Sequence, residues 1–184
     1  SGKAAVASAL AGVDILAVHA AEENTVRLAL IGCGGRGMGL LSINEDPRCT
    51  IAAVCDVDQQ RMAEAKKRIG TCDAYQDFRR ILDRQDIDAV LIGTPEHWHE
   101  VMSTMAARAG KDIYCEKPLS VTIDEAKAVR DAVTRYGVVF QMGTQQRSSW
   151  SFRFACELVR NGYIGQVKTV TVGVGGPVTY KICD

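Results

Sequence analysis

Polar and aromatic side chains follow two short apolar runs between residues 91 and 120. "TPEHWH" (94–99) comes after the run "DAVLIG", and "EKPLS" (116–120) comes after "KDIYC". An ammonium group set between Glu116 and the rigid ring of Pro118 can hydrogen-bond a reacting hydroxyl, relay its proton and orient the neighbouring carbon. We therefore predict that Lys117 is catalytic. An exposed lysine without a role is the alternative.

Two histidines follow the first run, and helix geometry allows only one of them to face inward. Pro95 ends the run and suits the entry to a helix. In the first turn of a helix, residues two positions apart point to different sides. We expect His99 to face the site as a second catalytic residue, with Trp98 bordering the ligand, and His97 to face solvent. A capping or core role for His99 is the alternative.

The segment "GCGGRG" (32–37) matches the pattern G-x-G-x-x-G. It follows the strand-like run "VRLALI" and opens a helical pattern, the setting in which backbone N–H groups close on a pyrophosphate at a helix N-terminus. Bulkier side chains would prevent that approach. We predict a dinucleotide site formed by Gly32, Gly34, Gly35, Arg36 and Gly37, with Gly34 nearest the phosphates.

Asp56 stands at the end of the next strand-like run, "TIAAVC" (50–55). A carboxylate there can accept hydrogen bonds from both hydroxyls of the adenosine ribose and repels a 2′-phosphate, so the sequence favours NAD over NADP. Asp58 adds negative charge, whereas Arg61 leaves NADP open. The alternative is an ordinary tight turn in which Asp56 caps the following helix.

Strand-like and helical segments alternate from Val26 onward, which is typical of a parallel sheet covered by helices on both faces. The pattern predicts an α/β fold of the Rossmann type, a doubly wound parallel sheet. The predicted strands are 26–32, 50–55, 88–93, 111–115 and 138–143, and the predicted helices are 36–44, 58–69, 76–82, 96–109 and 122–136. Ligands collect beyond the carboxyl ends of such strands. Segments 94–99 and 116–118 should therefore flank one crevice.

Composition argues against several kinds of partner. The 22 basic and 22 acidic residues give zero net charge, without the basic patch that nucleic-acid binding requires. No run reaches the about 18 to 20 apolar residues that span a bilayer, since the segment 4–21 is interrupted by Asp14 and His19. The seven cysteines form no C-x-x-C pair, so we predict neither a metal site nor a complete disulfide framework.

The N-terminal segment bears on where the protein resides. Small and apolar residues lead to Val18-His19-Ala20, an A-x-A-like site followed by an acidic stretch. This pattern is typical of the second half of an export signal, and a surface helix or mobile arm is the alternative. Unpaired thiols favour the cytosol. The sequence leaves export and cytosol open.

Four motifs together resemble one family. "GCGGRG", "VCDVD", "TPEHWH" and "CEKPLS" occur in the order and spacing of the glucose-fructose oxidoreductase, inositol dehydrogenase and MocA family, and "GTQQR" (143–147) is similar to its exit from the nucleotide domain. The resemblance extends from residue 25 to about residue 175. It implies a Rossmann domain followed by an α/β domain with a large, mostly antiparallel sheet, and NAD-dependent oxidation of a ring hydroxyl on a sugar, inositol or related polyol.

The resemblance also implies roles for individual residues. Lys117 belongs to the catalytic pair and, with Glu116, approaches the nicotinamide ribose. The cofactor cleft is lined by Thr94, Pro95 and His99, and the junction between the two domains is formed by Gln145 and Arg147.

One family element is missing from the sequence. The family usually carries an Asp or similar residue followed by His in its substrate domain, and no such element occurs before Asp184. We therefore expect an N-terminal arm or export-signal remnant (1–24), an NAD(P)-binding domain (25–147) and the incomplete start of a substrate domain (148–184). That last part contains a helix-like segment (150–165) and a strand-like one (166–176). An unpaired strand exposes an edge, so we expect a homo-oligomer.

Two other functions stay open at this point. A glycoside-cleaving relative would keep NAD bound and use transient oxidation at a sugar carbon. A dinucleotide-binding module without catalysis would act as a sensor or as the partner of another subunit.

Overall fold

Six parallel strands form one sheet in the computed structural model, which describes residues 25–173 and residue 175. The strands lie in the order β3-β2-β1-β4-β5-β6, and β1 pairs with both β2 and β4. The strands are β1 Val26–Ile31, β2 Cys49–Cys55, β3 Asp73–Tyr75, β4 Ala89–Ile92, β5 Asp112–Glu116 and β6 Phe140–Gly143. The predicted doubly wound α/β sheet of the Rossmann type is confirmed. The N-terminal segment discussed above (1–24) lies outside the described residues.

Helices connect consecutive strands. The α-helices are α1 Gly35–Leu40, α2 Gln59–Ile69, α3 Arg79–Leu82, α4 His99–Arg108, α5 Ile123–Tyr136 and α6 Trp150–Arg160. Three segments are 3₁₀ helices: Leu41–Glu45, Glu96–Trp98 and Gln145–Ser148. Among the residues described, no helix combines the length and apolar character that crossing a membrane requires.

The sheet is buried on both faces, which explains its nearly continuous apolar runs. Alternate residues of one strand enter different clusters, as period-two geometry requires. In β1, Ala29 and Ile31 pack in one core cluster, and Leu28 and Leu30 pack in the other. Both clusters draw on β2 and β4 in the same way. Helices on each face therefore hold the central strands rigid beneath their carboxyl ends.

Helix ends follow the expected capping chemistry. Thr122 accepts a hydrogen bond from the Glu125 N–H, and the Glu125 side chain returns one to the Thr122 backbone, which completes a capping box. Thr122, the first residue of the predicted helix 122–136, is therefore its N-cap. Asp58 caps α2 by accepting from the Gln60 and Arg61 N–H groups. The alternative role for Asp56 as helix cap is therefore wrong.

Several predicted bounds differ from the structure. The predicted helix 36–44 is α-helical only to Leu40 and continues as a 3₁₀ helix, and the segment 76–82 becomes helical only at Arg79. Strand β3 was not predicted, because its three partly exposed residues carry no apolar run. Strand β5 extends to Glu116, so Glu116 is the last residue of that strand and does not belong to the following loop.

The chain divides into two compact units, one ending at Gly143 and the other beginning at Thr144. The second unit contains the last 3₁₀ helix and α6, whose Trp150 and Phe154 rings stack with centroids 5.0 Å apart. The predicted strand 166–176 is wrong over residues 166–173, which have no regular secondary structure. A strand needs a neighbouring backbone to pair with, and the described residues provide none.

Candidate cofactor site

The carboxyl ends of four neighbouring strands bring most of the predicted site residues together. The glycine turn follows β1, Asp56 follows β2, Thr94 follows β4, and Glu116 ends β5. In the sheet order these strands are adjacent. The predicted crevice is therefore one edge of the sheet, where α/β proteins bind ligands.

Two glycines allow the turn after β1 to close against its neighbours. Gly32 has φ of 92°, and an added Cβ there would lie 2.7 Å from the Thr94 nitrogen. A Cβ at Gly37 would overlap the carbonyl oxygen of Gly32, and one at Gly93 would lie 2.9 Å from the Gly37 Cα. The backbones of the β1 turn, α1 and the β4 turn are therefore in direct contact. Gly93 was not predicted, although its place after an apolar run was a usable signal.

The outer face of the same turn is bare main chain. Gly34 precedes α1 with extended backbone, and no side chain caps that helix. An added Cβ would meet nothing within 4 Å at Gly35 and only the Arg61 guanidinium, at 3.7 Å, at Gly34. Open backbone N–H groups on a rigid support are what a pyrophosphate needs. The residues present therefore fit a dinucleotide, and the predicted place of Gly34 and Gly35 at its phosphates stays a prediction.

Asp56 connects the glycine turn to the end of β2. Its Oδ2 accepts the Cys33 N–H at 2.7 Å, and its Oδ1 accepts the Asp58 N–H at 2.8 Å. The side chain is 9% exposed. A carboxylate has about four acceptor positions, so Asp56 retains capacity for the two ribose hydroxyls predicted from the sequence. Its structural role, holding the turn in place, was not predicted.

Two further residues beside Asp56 belong to this edge. Val57 follows Asp56 and is 83% exposed, so its apolar side chain is available to the flat face of a base. Arg61 reaches back from α2 to Gly34 while its Nε lies 3.5 Å from Asp58 Oδ2. Val57 was not predicted, and Arg61 was predicted only as a residue that leaves NADP open.

His99 is 1% exposed, and both ring nitrogens are engaged. Its Nδ1 lies 2.6 Å from the Pro118 carbonyl oxygen, and its Nε2 lies 2.8 Å from that of Thr94. Both contacts are to carbonyl oxygens in the protein interior, which supports the alternative role of His99 in the core. Its predicted catalytic role stays a prediction. His99 connects the turn after β4 to the segment after β5.

The side chains before His99 face outward. Pro95, His97 and Trp98 are exposed, with Trp98 at 44%, so the expected exposure of His97 is confirmed. Thr94 is partly buried and contacts the Met102 sulfur at 3.6 Å. Thr94, Pro95 and Trp98 are thus placed where a cofactor lying along the edge would contact them, and their binding role stays a prediction.

Glu116 is buried at the centre of what we call the Glu116 cluster, formed by Arg36, Tyr114, Glu116 and the Lys117 backbone. The carboxylate is 3% exposed and pairs with Arg36 Nη2 at 2.7 Å. Tyr114 Oη donates to Oε1 at 3.2 Å, and the Lys117 N–H donates to Oε2 at 3.3 Å. The hydrogen bond to Glu116 raises the pKa of Arg36, while burial, followed by the Glu116 charge, raises the pKa of Tyr114.

Lys117 itself is exposed directly after β5, before a cis bond to Pro118. Glu116 holds its backbone on one side, and His99 holds the Pro118 carbonyl on the other. The ammonium group thus projects from a segment fixed at both ends. Gln145 and Arg147 lie on the 3₁₀ helix of the second unit, and their predicted role stays a prediction.

The sheet order, the glycine turn and the acidic residue after β2 define a Rossmann-type dinucleotide-binding protein. The model of the Gfo/Idh/MocA family, described as an oxidoreductase family with an NAD-binding Rossmann fold, matches residues 26–144. The chain belongs to this family, as its motifs indicated. An NAD cofactor is therefore established for its class.

Individual relatives are dehydrogenases and glycosidases. Levoglucosan dehydrogenase of Pseudarthrobacter phenanthrenivorans is 36% identical over 114 residues, covering 62% of this chain and 29% of the relative. A glycosyl hydrolase family 109 protein of Shewanella pealeana is 28% identical over 167 residues, covering 85% and 37%. The crystal structure of scyllo-inositol dehydrogenase from Lactobacillus casei with NAD(H) and scyllo-inositol gives a TM-score of 0.70 at 28% identity, covering 77% and 42%. The chain thus spans less than half the length of these relatives.

Proposed function

We propose that this chain binds NAD along the carboxyl edge of its sheet and that the whole protein oxidises a ring hydroxyl of a sugar, inositol or related polyol. The observation that carries the proposal is the two-sided glycine turn. Its inner face is closed by backbone contacts at Gly32 and Gly37, and its outer face is open at Gly34 and Gly35. An anionic pyrophosphate could approach this open main chain closely enough to accept hydrogen bonds from its N–H groups, which side chains at the outer positions would prevent.

The adenosine half would lie across β2. Asp56 has acceptor capacity for two ribose hydroxyls, and Val57 offers an apolar surface for the adenine. The Asp56 charge disfavours a 2′-phosphate, and Asp58 beside it has the same sign. These charges support NAD over NADP. Arg61 reduces the preference, because its guanidinium lies on the same edge.

The nicotinamide half would lie across β4 and β5, where Thr94, Trp98 and Lys117 meet the edge. NAD, when bound, accepts the hydride that leaves the substrate carbon. Lys117 Nζ holds the substrate oxygen and relays the hydroxyl proton toward solvent. Glu116 and His99 contribute by fixing the backbone on either side of Lys117, which orients that ammonium group.

The glycoside-cleaving alternative is supported by the glycosyl hydrolase family 109 relative, whose match covers 85% of this chain. In that case the same edge would retain NAD tightly and return the hydride to the sugar. The two functions differ in net redox change. Accumulation of NADH absorbance with a polyol supports the dehydrogenase, and sugar release without net NADH supports the glycosidase.

Titration of NADH against the wild-type chain and Gly34→Val tests cofactor binding. Valine at position 34 would project into the proposed pyrophosphate position without meeting protein backbone, so we expect affinity to fall at least about tenfold, or about 1.4 kcal/mol. Gly173→Val is the control for the substitution itself, because an added Cβ there meets nothing within 4 Å and the residue lies in the second unit. Unchanged affinity in Gly34→Val would contradict the proposed site.

Asp56→Asn tests the cofactor preference. Asparagine keeps an acceptor oxygen near the Cys33 N–H but removes the charge that repels a 2′-phosphate. We expect the ratio of NADP to NAD affinity to rise by about tenfold, even if both affinities fall. A ratio equal to that of the wild type would show that Asp56 does not discriminate between the two.

A further inference from the structure

We infer that Arg36, although it lies in the glycine-rich motif, serves the nicotinamide half of the cofactor through Glu116 instead of binding the pyrophosphate. The inference rests on the proposed function, since it concerns how NAD is held. It makes Arg36 and Tyr114 positioning residues for Lys117. The motif position of Arg36 alone had suggested a direct contact with the cofactor.

Glu116 carries a buried negative charge that needs a partner. Its side chain is 3% exposed, and a buried carboxylate is costly unless it is paired and hydrogen-bonded. Arg36 provides the opposite charge at 2.7 Å. Tyr114 and the Lys117 N–H provide the two remaining hydrogen bonds. Arg36 therefore completes the compensation of this buried charge. Without its guanidinium, Glu116 would be a buried carboxylate with no opposite charge beside it.

The Arg36 side chain extends toward the strand that ends at Glu116. Arg36 belongs to α1, after β1, and Glu116 ends β5, with β4 between these strands. The guanidinium thus crosses the edge toward the strand that carries Lys117. Arg61, by contrast, lies 3.7 Å from a Cβ position on Gly34. The arginine beside the open phosphate turn is Arg61, and the one beside the lysine segment is Arg36.

Gly143 gives independent evidence that the cluster is closely built. It pairs with Glu116 across β5 and β6. An added Cβ at Gly143 would lie 2.8 Å from Tyr114 Oη and 2.9 Å from Glu116 Oε1. The end of β6 therefore has no side chain where the phenol and the carboxylate meet, and this leaves the Tyr114–Glu116 hydrogen bond in place beneath Lys117.

Two ligands that share a pyrophosphate distinguish the roles. ADP contains the adenosine and both phosphates, and NADH adds the second ribose and the nicotinamide. We expect Arg36→Met to raise the NADH dissociation constant about tenfold while the ADP constant changes by less than about twofold. Arg61→Met is the matched control, and it should weaken both ligands by similar factors. Isothermal titration calorimetry of the wild type and both variants with the two ligands measures all six dissociation constants.

Conservative variants keep the test decisive if Arg36→Met folds poorly. Arg36→Lys retains the charge but not the planar donor pair, and Tyr114→Phe removes one donor from Glu116. Both should weaken NADH more than ADP. Equal loss of the two ligands in the folded Arg36 variants, or no loss of either, overturns the inference. Failure of the wild type to bind either ligand refutes the proposed function instead, so the two failures are distinguishable.

Discussion

Gly37→Ala is the sharpest test of how the glycine turn is supported. Gly37 is buried in α1, and its backbone conformation is accessible to alanine, so only the added methyl group matters. That methyl would overlap the Gly32 carbonyl oxygen and lie 2.9 Å from the Gly32 carbonyl carbon. Both obstacles are backbone atoms, which no change of rotamer can move.

The expected loss of stability follows from that contact. To restore ordinary contact distances, α1 has to move away from β1, which also disturbs the contact between Gly37 and the β4 turn. Overpacking of this kind costs about 1 to 3 kcal/mol, and rigid backbone neighbours place Gly37→Ala at the upper end. Because the turn itself moves, we also expect NADH affinity to fall at least about tenfold.

Gly35→Ala is the control on the same helix. An added Cβ at Gly35 has no neighbour within 4 Å, and alanine favours helix over glycine by up to about 1 kcal/mol. Urea unfolding followed by far-ultraviolet circular dichroism gives the free energy of unfolding for both variants. If Gly37→Ala and Gly35→Ala agree within about 0.5 kcal/mol, the contact between α1 and β1 does not have the importance assigned to it.

Three further measurements address other parts of the fold. Thr122→Ala should lower the free energy of unfolding by about 1 kcal/mol through loss of the capping box, and a change below about 0.3 kcal/mol would contradict this. Lys111→Met should cost about 1 to 3 kcal/mol, because the Arg84 and Ile87 carbonyls lose the donor that Lys111 Nζ supplies at 2.6 and 2.8 Å; stability equal to that of the wild type would refute it. Burial raises the pKa of Cys33 and Cys55 from 9.0 to about 12. Between pH 9 and pH 12 the folded state thus holds thiol protons that the unfolded state releases. The contribution of these thiols to stability, fully present below pH 9, should therefore decline toward pH 12. Urea titrations of the wild type and of Cys33→Ala at several pH values measure this decline.

Much of the fold was predictable because its signals are local. The apolar runs of β1, β2 and β4 reflect burial on both faces of the sheet, and Thr122 with Glu125 marks a helix start by side-chain chemistry alone. The glycine pattern likewise predicts that the backbone makes close contacts at these positions. Strand β3 lacks such a signal, since its pairing with β2 compensates for weak hydrophobicity in its three residues.

The sequence predicted which residues lie at this edge of the sheet, but it did not predict the contacts between them. Helix periodicity correctly placed His99 on the inner side, yet it gave no indication that carbonyl oxygens of Thr94 and Pro118 would occupy both nitrogens. The pairing of Arg36 with Glu116 joins distant parts of the chain. Such contacts depend on which strands become neighbours, which the order of motifs along the sequence does not reveal.

The double hydrogen bonding of Asp56 has a consequence for engineering coenzyme preference. Replacing this aspartate by a residue without an acceptor oxygen, in order to accept a phosphorylated ribose, also removes the hydrogen bond to the Cys33 amide and so loosens the turn that must bind either coenzyme. In the described structure, the side chains of Val57 and Arg61 make no hydrogen bond to that turn. Substitutions at these two positions can therefore change coenzyme preference while Asp56 keeps its hydrogen bond to the Cys33 amide. Selectivity and scaffold integrity are thus separable in this protein, provided that redesign begins beside the acid and not at it.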